Sequence, residues 1–163
     1  MLAQQVFTQD GRRYLHNDQT HKCDFAYLEK PRVGNAGAKL KILARFTGRS
    51  ALNVFGQCVG LGDAFDLTIT GTPEFRGGYI ALAGVAVTTD KKSGYYVRRV
   101  CTALAASLEH DFRYPVSTEF QKVLEDPAVL PLYPREFRNF RVPALRVTED
   151  SLVLVVDFDL MIK

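Results

Sequence analysis

The sequence YYVRRVCTALAASLEHDFRY, residues 95–114, carries apolar side chains at every third or fourth position. This spacing is typical of an amphipathic α-helix with one apolar stripe. Arg98, Arg99 and Glu109 fall outside the stripe, and Ser93 is the predicted N-cap. The stripe consists of Val97, Val100, Cys101, Leu104, Ala105, Leu108 and Phe112. Because the rest of the chain is rich in strand patterns, we expect a sheet to cover this stripe.

The segments before the helix are predicted to form antiparallel strands connected by short turns. Alternating apolar and polar residues are typical of half-buried strands. Such patterns cover residues 39–47 and 64–71, residues 25–33 are a further candidate strand, and residues 79–89 are predicted to form a strand that is nearly apolar on both faces. Glycine and proline positions predict turns at residues 34–37 and 72–78 and a bulge or bend within residues 53–61. The Asp-Gly dipeptide within residues 5–15 predicts a hairpin.

Beyond the helix, residues 116–126 predict a second, short helix. The segment 127–134 contains prolines at both ends and in the middle, so we expect an irregular crossing there. Two strands follow, at residues 137–147 and 152–162. The last strand alternates throughout its length and is therefore expected to be central or nearly central in the sheet.

The order of elements predicts one α+β domain that spans residues 1–163. The expected architecture is a long, strongly curved antiparallel sheet wrapped around one long amphipathic helix. Residues 1–37 are expected to supply an N-terminal hairpin or loop region and the first strand, and residues 38–163 the core of sheet and helix. A composition of 47% hydrophobic and 24% charged residues is ordinary for such a domain.

Charge and cysteine content argue against several classes of protein. A net charge of +3 is too small to indicate nucleic-acid binding. Three cysteines allow at most one disulfide, and Cys101 on the helix stripe is expected to be a small buried hydrophobic residue. No apolar run is long enough to predict a membrane span.

Four features occur together: long antiparallel strands, the turn Gly71-Thr72-Pro73-Glu74-Phe75, the restart Gly78-Tyr79-Ile80-Ala81-Leu82, and a long helix followed by a proline crossing and a C-terminal hairpin. With these features, residues 38–162 resemble one half-unit of the tubular lipid-binding (TULIP-like) superfamily, and more narrowly its small bacterial lipoprotein-type members. The resemblance implies a bent sheet around a long helix, with an apolar tunnel between them. It further implies binding of a lipid or another apolar molecule, without catalysis or a cofactor.

The side chains implied to line this tunnel come from the strands and the helix. They are Phe65, Leu67, Ile69, Ile80, Leu82, Leu104, Leu108, Phe112, Leu154, Val156 and Phe158. Each buried methylene of a ligand contributes about 0.8 kcal/mol, so a chain of about ten carbons would bind without a polar anchor. The alternative is a structural or protein-interaction domain in which these side chains fill a dry core, because protein interiors are close-packed.

The chain departs from the lipoprotein-type pattern at Cys23, which follows the polar residues 16–22 instead of an apolar run. A lipid anchor is therefore not expected at this cysteine. The N-terminus as it stands also lacks a basic region followed by an apolar run, so we expect no secretory signal. Both a cytoplasmic location and, for a longer precursor, an envelope or periplasmic location remain open.

Polar residues in the sequence predict neither a catalytic centre nor a metal site. His16, His21 and Cys23 fit no common zinc spacing. His110 and Asp111 are neighbours on the helix, so we expect their side chains not to face each other. An enzyme of a helix-gripping α+β fold, such as the cystatin-like type, would need a pocket with histidine or paired carboxylates. The carboxylates Asp66, Asp157 and Asp159 are expected on solvated strand faces instead.

The C-terminal hairpin combines arginines with phenylalanines. Strict alternation places Arg138 and Arg146 on one face of the strand, and Arg135 and Arg141 on the other. Arg138 and Arg146 are candidates for contact with an anionic membrane surface or a protein partner, while a solvated edge is the plainer interpretation. Nucleic acid is not an expected partner.

Overall fold

The computed structural model describes residues 11–18, 20–92, 94–125, 135–149 and 151–162. Antiparallel strands dominate this part of the chain, and the larger of two sheets curls into a half-barrel. Its strands, in both chain and spatial order, are β1 (Arg12–His16), β2 (Asp24–Ala36), β3 (Lys39–Val54), β4 (Gln57–Arg76), β5 (Tyr79–Thr88) and β6 (Tyr114–Pro115). The other elements are helices α1 (Tyr95–Asp111) and α2 (Val116–Glu125) and the strand pair β7 (Arg135–Val147) and β8 (Leu152–Ile162).

The predicted α+β fold with a curved antiparallel sheet is confirmed. The described residues nevertheless form two sheets instead of one, and two helices accompany them. Strand β8 pairs with β7 in a two-stranded sheet, so the prediction of a central position for residues 152–162 is wrong. Alternation reports which faces of a strand are buried, but it carries no information about the neighbouring strand.

Strands β3 and β4 form one continuous antiparallel ladder and are longer than predicted. A two-residue turn at Phe55 and Gly56, both with positive φ, joins them, as is usual in tight hairpins. Residues 57–62 lie in regular register, so the bulge expected there is absent from this ladder. Strand β4 also continues through Pro73 to Arg76, so the turn predicted for residues 72–78 is confined to Gly77 and Gly78. A separate irregularity falls between Thr70 and Thr72.

The predicted helix forms as α1 and ends at Asp111. Its N-cap is Gly94, which makes no side-chain hydrogen bond, in place of the predicted Ser93. Val97 and Leu104 are buried in the core, and other residues of the stripe pack partly buried against it. Phe112 lies beyond the last helical residue, so it follows the stripe in the sequence but is not part of the helix.

The face of the large sheet on which α1 packs, here called the inner face, carries the core of the protein. Its buried residues alternate along β3 and β4, as the sequence patterns predicted. Together with α1 they form a cluster of Leu28, Ala44, Phe46, Phe65, Leu67, Ile69, Val97 and Leu104. The opposite face, the outer face, bears the intervening polar side chains.

A bulge in β5 ties the helix to the sheet. Gly84 has a φ of +58°, a conformation that glycine adopts without strain. Its backbone N–H donates a hydrogen bond of 3.0 Å to the Glu109 carboxylate of α1. The irregular position in the strand therefore anchors the C-terminal half of α1.

The second sheet contacts the rest of the protein through aromatic rings. Phe120 of α2 lies 5.5 Å from Phe140 and 5.1 Å from Phe158, measured between ring centroids. Phe140 is also 5.8 Å from Phe75 of β4. This cluster joins β7, β8, α2 and the end of β4.

A disulfide between Cys23 and Cys58 connects the start of β2 to the tip of the β3–β4 hairpin, with a Cα–Cα distance of 5.2 Å. The third cysteine, Cys101, is free, and burial raises the pKa of its thiol. One bridge and one free thiol agree with the limit of one pair set by the cysteine count.

We expect the double variant Cys23→Ser/Cys58→Ser to lose about 2–4 kcal/mol of unfolding free energy, because the bridge closes a loop spanning 35 residues and restricts the unfolded chain. Urea denaturation of oxidised protein provides the measurement. Cys101→Ala is the control that removes a cysteine outside the bridge. Equal unfolding midpoints for wild type and double variant would contradict the prediction.

Asp63 and Lys91 join β4 to the segment that leads into α1. The hydrogen bond from Lys91, followed by the one from the Ala64 backbone N–H, lowers the pKa of the Asp63 carboxyl. A carboxyl with a lowered pKa stabilises the fold above its ordinary pKa of about 4, and this contribution disappears as the pH falls through the lowered value.

Asp63→Asn should therefore cost about 0.5 kcal/mol of unfolding free energy at pH 7, a value appropriate to a partly exposed pair, and nothing once the wild-type carboxyl is protonated. Urea denaturation at pH 7 and below pH 3 would show whether the unfolding free energies of the two proteins become equal in acid. Asp66→Asn on the same strand is the control, since the Asp66 side chain is 82% exposed. If Asp63→Asn still had a lower unfolding free energy than wild type below pH 3, the charge of Asp63 would not be the source of the difference.

Candidate functional site

A groove of about 480 Å³ lies between α1 and strands β1, β2 and β3. Its apolar walls include Ala26 and Phe46 from the sheet and Val100, Ala103 and Leu104 from the helix. Its polar lining includes His16, Asp24, Ser50, Tyr96 and Ser107. The groove exists because the small side chain of Ala103 follows the larger Val100 on the helix and leaves space above the sheet.

The floor of the groove depends on a glycine in β3. Phe46 and Leu104 are buried there, and the Phe46 ring lies 5.1 Å from the ring of Phe65. A Cβ atom placed on Gly48 would lie 2.6 Å from Cζ of Phe46 and 3.1 Å from the Tyr96 hydroxyl. The absence of a side chain at Gly48 therefore allows both aromatic residues to cross the strand.

Tyr96 supplies a hydroxyl to the groove from the first turn of α1. Burial, and to a lesser degree the negative charge of Asp63, raises the pKa of this hydroxyl above its ordinary value. Tyr96 thus stays protonated at neutral pH and can donate a hydrogen bond to a ligand.

His16, Asn17 and Asp24 form a hydrogen-bonded group at the groove. Nε2 of His16 lies 3.0 Å from Oδ2 of Asp24. Asn17 donates through Nδ2 to the backbone oxygen of Asp24 at 2.7 Å and to Oδ2 at 3.3 Å. The groove therefore combines an apolar floor with polar groups, which suits an amphiphilic molecule better than a wholly apolar one.

The residues predicted to line one tunnel lie in several separate parts of the structure. Leu104 lines the groove, and Leu108 packs against the core. Phe112 is half-buried just after α1, whereas Leu154, Val156 and Phe158 are half-buried in the second sheet. The remaining predicted residues are buried among other side chains: Phe65, Leu67, Ile69, Ile80 and Leu82.

Several groove residues escaped the sequence analysis. Ala26, Phe46 and Val100 appeared only as parts of strand or helix patterns, and Ala103 and Ser107 lie off the apolar stripe. A usable signal was the set of small residues Ala103, Ala106 and Ser107 beside the stripe, which leaves room along one flank of the helix.

A serine, an aspartate and a histidine do meet at the end of α1. Nδ1 of His110 lies 2.6 Å from Oδ1 of Asp111, so the expectation that these side chains do not face each other is wrong. Both side chains are exposed at the end of the helix and turn toward each other there. Ser107 donates to Oδ2 of Asp111 at 2.9 Å, and both bonds lower the pKa of the Asp111 carboxyl. Because the serine hydroxyl binds the carboxylate instead of the imidazole, the arrangement differs from a catalytic triad, in which the serine binds the histidine.

The other polar residues considered in the sequence also have assigned contacts. His21 hydrogen bonds to Asp18 at 3.1 Å, and Cys23 is in the disulfide. Asp66 pairs with Arg45 across β3 and β4. In the part of the chain that the structure describes, no three histidine, cysteine or acidic residues form a group that could hold a metal ion.

The arginines of β7 share a face that strict alternation did not predict. The register pairs Arg138 with Asp159, Arg141 with Asp157 and Arg146 with Val153. Two register shifts in β7, on either side of Arg141, bring it to the side of the other two, so its predicted placement opposite them is wrong. The aspartates opposite reduce the positive charge of this surface.

Within the described residues, neither helix is long and apolar enough to cross a membrane. The chain matches no protein-family model, and comparisons with curated proteins and with solved structures find no match.

We expect Gly48→Ala to lower the unfolding free energy by about 1–3 kcal/mol, because the added methyl group overpacks the floor of the groove. Urea denaturation measures the change. Gly62→Ala on the neighbouring strand is the control, since the closest contact of its added methyl group would be Cγ of the flexible Arg49 side chain at 3.3 Å, and the Gly48 backbone oxygen would lie at an ordinary 3.5 Å. Equal destabilisation of both variants would contradict a specific role for Gly48.

Proposed function

We propose that this protein binds a lipid or a similar amphiphilic molecule in the groove beside α1 and catalyses no reaction. The observation that carries the proposal is the groove itself, in which apolar side chains from helix and sheet surround a space of about 480 Å³. Pockets of this size accommodate small organic ligands.

The groove lies between the curved sheet and the amphipathic helix α1, which is where the resemblance to the TULIP-like superfamily implies a ligand. In this proposal the ligand lies along α1, with its apolar part over Phe46, Val100 and Leu104. Its polar end lies near Tyr96, Ser107 or the His16–Asp24 pair. Each methylene that leaves water contributes about 0.8 kcal/mol to binding.

The disulfide indicates where the protein acts. Disulfides persist in oxidising compartments and are rare in the reducing cytosol. The Cys23–Cys58 bridge therefore favours the envelope or periplasmic alternative for this binding function.

The second candidate function is a structural or protein-interaction domain with a packed interior. The close burial of Leu67, Ile69 and Leu82, all predicted to line a tunnel, favours this alternative. The two candidates differ in one property, since only the first requires uptake of a small hydrophobic molecule.

We expect Ala103→Trp to weaken binding of palmitate by about tenfold or more, because the indole would occupy space that several ligand methylenes would otherwise fill. Binding is measured by native mass spectrometry and by displacement of a hydrophobic fluorescent dye. Ala106→Trp provides the matched control, because Ala106 is also an exposed residue of α1, one turn along and outside the lining of the groove.

Two results would overturn the proposal. Wild-type protein that takes up neither palmitate nor dye would favour the interaction domain. Wild-type binding that Ala103→Trp and Ala106→Trp leave equally strong would place the ligand elsewhere.

A further inference from the structure

The outer face of the large sheet carries a concentration of positive charge. Along β3, Lys39, Lys41 and Arg45 alternate with the buried residues of the core, so their side chains belong to the outer face. Arg32 of β2 lies opposite Leu43 in the ladder and shares this face. Lys30, in the bulge of β2, lines the same outer depression as Arg32 and Arg45. We call this set of five residues, Lys30, Arg32, Lys39, Lys41 and Arg45, the basic face.

Acidic side chains neutralise the basic face only in part. Asp66 pairs with Arg45 at 3.3 Å, and Glu29, opposite Arg45 in the ladder, pairs with Arg12. Asp90 also lines the outer depression, which has a volume of about 360 Å³. In the described part of the chain, Lys30, Arg32, Lys39 and Lys41 form no ion pair. With a net charge of only +3 on the whole chain, this unpaired positive charge is strongly localised.

Apolar and aromatic side chains accompany the basic face. Leu43 is 39% exposed between Lys41 and Arg45. Toward the edge of the sheet, Tyr14 and Tyr27 are cross-strand neighbours with ring centroids 5.3 Å apart. Tyrosine suits the boundary between water and lipid because it joins an apolar ring to a polar hydroxyl.

The aromatic group does not form a platform for nucleotide bases. The Arg12 guanidinium lies 4.6 Å from the centre of the Tyr27 ring, and Phe25 stacks beside it at 5.7 Å. Single-stranded nucleic acids need open ring faces on which bases can stack. The basic residues also spread over a sheet face instead of following a strand-like groove, which fits a planar anionic surface better.

We propose that the basic face docks this protein on an anionic phospholipid bilayer, with Lys30, Arg32, Lys39 and Lys41 contacting the headgroup phosphates. Basic side chains near an anionic bilayer each strengthen binding by about fivefold, and the attraction decays within a Debye length. This surface lies on the opposite side of the sheet from α1 and its groove. The inference therefore stands independently of the proposed ligand binding.

The test compares two double variants that remove the same charge from opposite sides of the sheet. Arg32→Gln/Lys41→Gln changes the basic face, and Arg98→Gln/Arg99→Gln changes exposed residues of α1. Binding of each protein is measured by co-sedimentation with vesicles of phosphatidylcholine and phosphatidylglycerol, and with vesicles of phosphatidylcholine alone. Palmitate uptake is measured on the same proteins.

We expect wild type to bind only the anionic vesicles and to be released by salt of about 0.5 M. Arg32→Gln/Lys41→Gln should weaken this binding by about 25-fold, while Arg98→Gln/Arg99→Gln stays close to wild type. Both variants should keep the palmitate affinity of the wild type, whatever that affinity is, because neither pair lines the groove.

Three results would overturn the inference. The first is wild-type protein that does not bind anionic vesicles. The second is an equal loss of vesicle binding in both double variants, which would show a general effect of net charge. The third is binding of single-stranded RNA, lost in Arg32→Gln/Lys41→Gln, by a protein that ignores vesicles, which would assign the basic face to nucleic acid.

Discussion

The structure depends on one requirement, that the apolar stripe of α1 be covered by the inner face of the curved sheet. Val97 and Leu104 of the helix meet Phe46, Leu67 and other buried residues of β2 to β4. Full burial of each large apolar side chain contributes about 1.5–3 kcal/mol, so this contact contributes several kcal/mol to the stability of the fold. The bond from Gly84 to Glu109 and the pair of Asp63 with Lys91 fix the position of the helix across that face.

The two proposed functions use opposite faces of the same strands. Because side chains alternate along a strand, β3 presents Ala44 and Phe46 to the helix and Lys41 and Arg45 to the outside. The groove arises where small residues of α1 leave the inner face incompletely covered. An anionic bilayer at the outer face would bring the sheet to a source of amphiphilic molecules, so the two proposals are compatible, although neither requires the other.

The departures from the sequence predictions share a physical origin in strand irregularities and strand pairing. A proline inside β4 suggested a turn, yet the strand continues because the ladder accommodates an irregularity just before it. Two shifts in β7 moved Arg141 to the face of Arg138 and Arg146. Alternation assumes an uninterrupted ladder, and each bulge adds a residue that reverses the side on which the following side chains lie.

Local patterns in the sequence were sufficient to determine the amphipathic helix, the second helix, the buried positions of β3 and β4 and the α+β class, because periodicity records which side of an element avoids water. The cysteine count also limited the number of disulfides to one. Only the tertiary structure decided that Cys23 and Cys58 form that pair, that β8 stands apart from the large sheet, and that a groove lies beside Ala103 instead of among Leu67 and Ile69. These properties depend on which distant segments become neighbours and on how much volume remains between them, and neither quantity is encoded in the periodicity of a single segment.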